Sequence, residues 1–412
     1  MFNFLKGKKM YTTAKSAAIL IISVFILSLY SCNHDGPTHL QSFRLPGAKP
    51  VVDAGYYSSL QEAIDAVPEE GGMVKLPPGE FIINEPLIIQ SSDFHMEGSG
   101  TATHIKNENT EGLPAIIIQH PSKNDDRDSE LWRISMAKMR ITGNEKSGHG
   151  IEAHYINEIF LDGVTVSYHG GDGIRLLFCY EDPRISNCLI TYNKKTGLYL
   201  EGCHDIIVSA NQFEENNDAL FCTDSYNLCM TGNNLDDHLG NGIVIENTYG
   251  SVVAGNMIEE CNGVAVVMDR DCYGNTVSAN VIAHNVSGGV DLRDAHGCAI
   301  SANTFTIMGK DAVRIGPRSG RIMVGANNFS DSEIGGDKKW RETGDLNAGG
   351  LVLEGTSDVG IVGNLFSDVQ PGALELRGES SMRINFTGNV LVGGKSDHGK
   401  LPGSIVENNL EN

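Results

Sequence analysis

No Cys-x-x-Cys pair occurs among the nine cysteines, so the usual framework for structural zinc is missing. Cys32 stands alone, and the other eight fall between Cys179 and Cys298 without the pairing of a small disulfide scaffold. They read as mostly reduced core residues. Basic charge is also in deficit: 31 Lys and Arg face 52 Asp and Glu, a net charge of −21. A general nucleic-acid binder needs a basic face, so nucleic acid is excluded as a partner. The same field repels polyanions unless a local basic patch or a bound cation intervenes. An acidic, solvated surface is the plainer reading of that charge. There are 13 Pro and 2 Trp, and the 48 Gly follow no strict triplet, which excludes collagen. Long apolar runs are lacking too: Ala17 to Leu29 falls short of the ~20 residues of a comfortable membrane span. With 40% hydrophobic and 20% charged residues, the chain is not a disordered one.

Glycine is what the chain has in excess, about 12% against a usual ~7%. Spread among Val, Ile, Asn and Thr, it suggests many short strands joined by tight turns. The length would allow two or three domains, but a repeat architecture can be one long domain.

Residues 1–31 read as an address. Lys6, Lys8, Lys9 and Lys15 surround the start of the apolar run, which ends in Leu29-Tyr30-Ser31-Cys32. A short apolar helix, a small residue at the cut and a thiol after it resemble a bacterial lipoprotein signal. That resemblance implies cleavage before Cys32, lipid on its sulfur, and export to the periplasm or the outer-membrane surface. An ordinary anchor or signal peptide is the alternative. Residues 32–50, with Gly36, Pro37, Pro46, Gly47 and Pro50, read as a tether. That leaves 51–410 as the folded domain and a lipid anchor as its only link to a membrane.

Internal similarity dominates the body. A small residue followed by Asn, with an apolar residue two positions on, recurs at Asn187, Asn211, Asn233, Asn256, Asn280, Asn303, Asn327, Asn364 and Asn389. The spacings are 24, 22, 23, 24, 23, 24, 37 and 25. Midway between, Gly173, Gly197, Gly242, Gly289 and Ala373 open short alternating strands. A unit of ~23 residues with two or three strands and no amphipathic helix must stack on its neighbours to bury its apolar face. Ahead of the repeats, Ser59-Leu60-Gln61-Glu62 forms a capping box, and Leu60, Ala63, Ile64 and Val67 share one helical face. Gly71-Gly72, a strand and Pro78-Gly79 follow.

Over roughly residues 50–410 these features resemble the right-handed parallel β-helix of the pectin-lyase-like superfamily. The resemblance implies an all-β solenoid in which each coil is one repeat. It also implies a recurrent Asn inside a turn, hydrogen-bonded to the Asn of the next coil. Asn suits that position because it tolerates the left-handed region and carries both a donor and an acceptor. The opening segment is similar to the N-terminal capping helix of pectate-lyase-type enzymes and phage tailspikes. A leucine-rich repeat has a comparable period, but its L-x-x-L-x-L frame is missing. Two stretches break the rhythm: Pro121 to Glu130, and about fourteen extra residues after Phe329 that include Trp340. Such loops either wall a groove or are tolerated insertions.

Alternation points Ile174, Leu176, Leu198, Leu200, Ile243, Ile245, Val290, Leu292, Val313 and Ile315 inward. One outward column is expected to read Glu152, Arg175, Tyr199, Phe221, Val244, Ala265, Asp291, Arg314, Val352, Glu375. The next reads His154, Leu177, Glu201, Thr223, Glu246, Val267, Arg293, Gly316, Glu354, Arg377. Past the strand ends come Asp224, Asp269, Asp294, His296 and Arg318. The candidate catalytic group is Asp291, Arg293, Asp294 and His296 on one coil, Arg314 on the next, and Asp269 and Glu246 before them. An exposed salt-bridge ladder is the alternative. Tyr199 and Phe221, beside Glu201, offer a stacking face for a sugar or an ordinary ladder pair. Arg318 and Trp340 complete the substrate-binding candidates.

Neighbouring coils lie ~4.8 Å apart, so carboxylates on adjacent coils suit retaining glycoside hydrolysis and those two coils apart the inverting kind. Asp269 with Asp291, or Glu246 with Asp291, would serve. A β-eliminating lyase needs a neutraliser for the uronate, Arg293 or Arg314, and a base, His296, Tyr199 or an Arg. Calcium at Asp224, Asp269 or Asp294 is the one cofactor considered, and no loop motif supports it. The signatures of polygalacturonases, pectate lyases and alginate epimerases are incomplete, so the resemblance stays at the superfamily. The expectation is an envelope-anchored enzyme that processes a polysaccharide or oligosaccharide, as lyase or glycoside hydrolase. The alternatives are a non-catalytic carbohydrate-binding or surface-structural β-helix, and a fructan-converting transferase acting as an oligomer.

Overall fold

Strict alternation sets the architecture. In Ile151–His154, Ile174–Leu177 and Leu198–Glu201 every second side chain is buried and its neighbours are half-buried. That pattern belongs to a strand with one fully covered face. In the computed structural model such strands stack into three parallel sheets of 17, 14 and 12 strands. The structure describes residues 45–122, 129–330, 349–393, 396, 399 and 401–411. The chain divides into residues 1–48 and 49–412, and the sheets lie in the second unit. The expected leader, most of the tether, Cys32 and Trp340 lie outside the described residues.

A typical coil gives one strand to each sheet, and two coils give a pair of short strands to the 17-stranded one, Cys272–Tyr273 with Thr276–Ser278 and Ala295–His296 with Ala299–Ser301. Arg184–Ser186, Leu189–Thr191 and Leu198–Glu201 pair in register with Ile207–Ser209, Gln212–Glu214 and Leu220–Thr223 of the next coil. The interior between the sheets is filled by one continuous apolar cluster. Phe305, Phe329 and Phe366 stack within it at 4.8 and 4.6 Å. Each such side chain taken out of water contributes about 1.5–3 kcal/mol. Gly197 and Gly242 pass beneath the next coil: a Cβ there would sit 2.8 and 2.5 Å from the carbonyl oxygens of Ala219 and Ala265.

Side-chain amides link one turn from coil to coil. Asn211 Nδ2 donates to Asn233 Oδ1 at 3.0 Å, and the same bond repeats through Asn256, Asn280, Asn303, Asn327, Asn364, Asn389 and Asn409. The residue before each is left-handed: Gly232 and Gly255 at φ 66°, Ala279 at 54°, Ala302 at 55°. Hence the small residue of the motif. Asn187 is an exception to the repeat as first read. It takes the left-handed position itself (φ 56°), and Cys188 stands where the others have Asn, donating its N–H to Asn211 Oδ1. The 37-residue interval from Asn327 to Asn364 is bridged by the same 3.0 Å bond, so the extra residues leave the coil without breaking the run.

One strand departs from the expected phase. Val244 pairs with Val267 and Glu246 with Asp269, so Val267 and Asp269 take the outward positions assigned to Ala265 and Val267. Val264–Met268 is an unbroken apolar run, and alternation cannot phase it. At the N-terminal end, the helix Leu60–Asp65 begins at Ser59, whose side chain accepts from the Glu62 N–H. Gln61 grips Ile88 in the first strand of the 12-stranded sheet, donating to its carbonyl at 3.0 Å and accepting from its N–H at 2.8 Å. The side-chain amide thereby closes an edge that would otherwise be open. Among the described residues eight cysteines are free, all buried but Cys229. Burial pushes the thiols of Cys222, Cys261 and Cys272 up to about 12, so they stay protonated and unreactive. No helix among the described residues is long and apolar enough to cross a membrane.

Candidate functional site

The outer face of the 12-stranded sheet carries the charged side chains in columns. Asp291 in Gly288–Leu292 pairs with Arg314 in Val313–Ile315. Glu354 closes the next strand, Gly349–Glu354, and pairs with Arg377 of Gln370–Arg377. With Arg293, Lys310 and Asp311 they line a cleft of about 360 Å³. Asp291 Oδ2 receives Arg293 Nε at 2.8 Å and lies 3.6 Å from Arg314 Nη1. The other arm of Arg314 reaches Glu354 Oε2 at 2.6 Å. Arg377 donates to both oxygens of Asp311, at 2.7 and 2.8 Å, and to Glu375 at 2.7 Å. The cleft is therefore nearly balanced in charge. Its exception is Asp291 Oδ1: the side chain is 9% exposed, and this buried oxygen has no partner.

The remaining sequence candidates separate into two other groups. Arg318 joins Asp269 at 3.0 Å and Asp294 at 3.4 Å. His296 lies in the 17-stranded sheet, with Nε2 3.8 Å from Asp294. Glu246 is held by Arg270 at 2.8 Å, whose other arm lies 3.8 Å from Asp224. Asp269 and Asp294 converge on a guanidinium and Asp224 on another, so these three do not form a calcium cage. Among the described residues, the groups close enough to share a cation are Glu259, Glu260 and His284, and Asp236, Asp237 and Glu260, elsewhere on the coils.

A second cleft, about 510 Å³, lies toward the N-terminus of the same face, lined by Asp172, Arg175, Lys194, Lys195, Tyr199 and Phe221 among others. Tyr199 and Phe221 stack at 5.5 Å, and Arg175 lies 4.7 Å over the Tyr199 ring. Burial, with the hydrogen bond to Glu201 at 2.9 Å, pushes the Tyr199 hydroxyl up to about 12. It is a proton donor at neutral pH. Beside it is a group the sequence reading missed. The Asp172 N–H donates to His149 Nδ1 at 2.9 Å, the Asp172 carboxylate lies 3.1 Å from the same nitrogen, and His149 Nε2 is 3.5 Å from Glu152. His154 Nε2 lies 2.6 Å from the other Glu152 oxygen, and this bond holds the Glu152 carboxyl below its usual value. Glu152, His154 and Arg175 stand in the outward columns. His149 and Asp172 come from turns, where no period reveals them. Between the two clefts Phe221, Val244, Val264 and Val267 form a small apolar cluster of their own.

The right handed beta helix region model matches residues 92–250, 185–329 and 241–409, and the chain belongs to that family. No match was found among curated proteins. Among solved structures, the mannuronan C-5 epimerase AlgE6 A-module of Azotobacter vinelandii is similar, with a TM-score of 0.56, 16% identity, and coverage of 88% of this chain and 99% of that one. A mutant of DFA-IIIase from Arthrobacter chlorophenolicus A6, in complex with DFA-III, gives 0.53, 12%, 80% and 99%. Tailspike protein 3 of bacteriophage CBA120 gives 0.56, 10%, 81% and 58%. At these identities the likeness is one of fold.

Proposed function

We propose that this protein is a glycoside-cleaving enzyme whose centre is the Asp291 cleft, carried to the cell envelope by a lipid on Cys32. The buried, unpartnered oxygen of Asp291 carries the reading. Such an oxygen costs about 1–3 kcal/mol until a donor meets it, and a sugar hydroxyl or a protonated glycosidic oxygen supplies one. Arg314 touches both Asp291 and Glu354, which keeps the two carboxylates within about 9 Å, inside the range of glycosidase pairs. One carboxyl protonates the leaving oxygen. The other attacks the anomeric carbon or activates water, according to the separation the bound sugar selects. The near-balance of charge suits a neutral polysaccharide. The epimerase and DFA-IIIase named above agree with carbohydrate as the substrate class.

New reducing ends from a panel of neutral polysaccharides are the expected result. Asp291→Asn and Glu354→Gln should each lower kcat by roughly 10²–10⁴-fold with the melting temperature little changed. Full activity in Asp291→Asn would remove the site. Unsaturated products from uronates would instead favour elimination at the second cleft, where Lys194, Lys195 and Arg175 gather positive charge. No product from any glycan would leave a binding protein. Anchoring has its own readout: Cys32→Ser should move the protein from the membrane fraction to the soluble one, and an unchanged distribution would remove the anchor.

A further inference from the structure

Successive coils place Tyr180, His204, Tyr226, Tyr249 and Tyr273 in one file along the solenoid. His204, Tyr226, Tyr249 and Tyr273 are bridged each to the next. Ring centroids lie 5.0 Å apart from Tyr180 to His204, 4.6 Å from His204 to Tyr226 and 5.6 Å from Tyr226 to Tyr249. These rings are not core: Tyr226 is 44% and Tyr273 49% exposed. At Tyr273 the next coil offers Gly297, whose missing Cβ would lie 3.2 Å from the ring. The file begins at a recess of about 280 Å³ lined by Glu130, Trp132, Asn157, Tyr180, Glu181 and His204. Asn157 is 2% exposed. Its Nδ2 donates to Glu130 Oε2 at 2.8 Å, and its Oδ1 has no partner. Trp132, Asn157 and Tyr273 belong to strands of the 17-stranded sheet, outside the face that holds Asp291.

We propose that this file is a binding track for a neutral polysaccharide, separate from the catalytic cleft. Tyr180 and His204 stand at 87° to one another and His204 and Tyr226 at 65°, so the rings offer a sugar chain edges and part-exposed flanks at the ~4.8 Å coil repeat. The buried Asn157 oxygen asks for a hydroxyl donor, which a sugar provides at one end of the row. Charge selects the class. Glu130 and Glu181 at the recess and Asp205 beside His204 repel uronates and sulfated glycans, so the ligand at that end is uncharged, while Arg321 lies 5.6 Å over the Tyr273 ring at the other end.

The test uses the full chain with Trp340→Phe, which leaves Trp132 as its one tryptophan. Gluco-, manno- and xylo-oligosaccharides of increasing length are titrated against Trp132 fluorescence. The expected result is a shift in emission with at least one series, tightening as the chain lengthens to several sugars. Tyr226→Ala and Tyr249→Ala should each weaken binding about 3–10-fold, the size of one aromatic contact. Asn157→Leu should weaken the shortest binding oligosaccharide most. A polyuronate should bind more weakly than its neutral counterpart. Absence of binding by every neutral series, or unchanged affinity in both tyrosine variants, overturns the proposal. A variant that only lowers the melting temperature does the same, because that marks a structural stack. Binding needs no turnover, so this outcome and that of the catalytic reading are independent.

Discussion

Two histidines show how a single position can set pH behaviour. His169 and His238 occupy the turn after strands of the 14-stranded sheet, where neighbouring coils have Asn193, Asn216 and Asn285. The asparagines bond coil to coil: the His169 N–H donates to Asn193 Oδ1 and the Asn193 N–H to Asn216 Oδ1, both at 3.1 Å. The imidazoles are fully buried; both ring nitrogens of His169 and Nε2 of His238 lack partners. Burial drives each pKa from 6.5 down to about 4. The unfolded chain takes up these protons near pH 6.5 and the folded one only near 4. Stability is therefore full above 6.5, falls as pH drops toward 4, and levels off below. Each histidine accounts for about 3 kcal/mol across that window. His238→Asn restores the amide used by its neighbours and should remove about half of the loss. Urea denaturation at pH 7 and pH 5 measures it. Equal losses in variant and wild type would show that His238 is not held neutral.

Elements were legible where a period governed them and obscure where none did. The coil repeat could be read from Asn and apolar residues because every coil repeats the same left-handed turn and the same inward positions. Its misreadings have local causes. At residues 186–188 an Asn took the left-handed position beside a Cys, and in Val264–Met268 all residues were apolar. Asp291, Arg293 and Arg314 could be placed together because strand alternation fixes their columns. Glu354 and Arg377 fell in those columns too, but Arg377 closes on Asp311 across 66 residues, with the interval after Phe329 between them. Asp294 and His296 were near Asp291 in sequence. The chain turns after Leu292, however, and carries His296 into another sheet. His149, Asp172 and Asn157 owe their roles to turns or to a neighbouring coil's side chain, which no alternation encodes.

At the largest scale, the contacts within residues 49–412 are close to one-dimensional: a coil touches the coils before and after it and little else. Stability should then be a sum of coil and interface contributions, and a whole coil should be removable. Deleting residues 233–255 joins Gly232 to Asn256, replacing Gly255, which has the same φ of 66°. Asn211 would then meet Asn256 as it now meets Asn233, Phe213 would stack on Ile258, and Leu220 would run beside Val266. The charged residues of the Asp291 cleft begin a coil beyond the next one, with only Val264 of its lining closer to the cut, and the cleft should keep its geometry and its turnover. The aromatic file loses Tyr249 but brings Tyr226 beside Tyr273. A cut of residues 233–244 removes half a coil and misplaces every inward side chain that follows. Far-UV circular dichroism and thermal unfolding should show a folded, somewhat less stable protein for the first deletion and a collapsed or insoluble one for the second. Failure of both alike would mean that distant coils depend on one another, and that the stacked repeat is not the unit of stability.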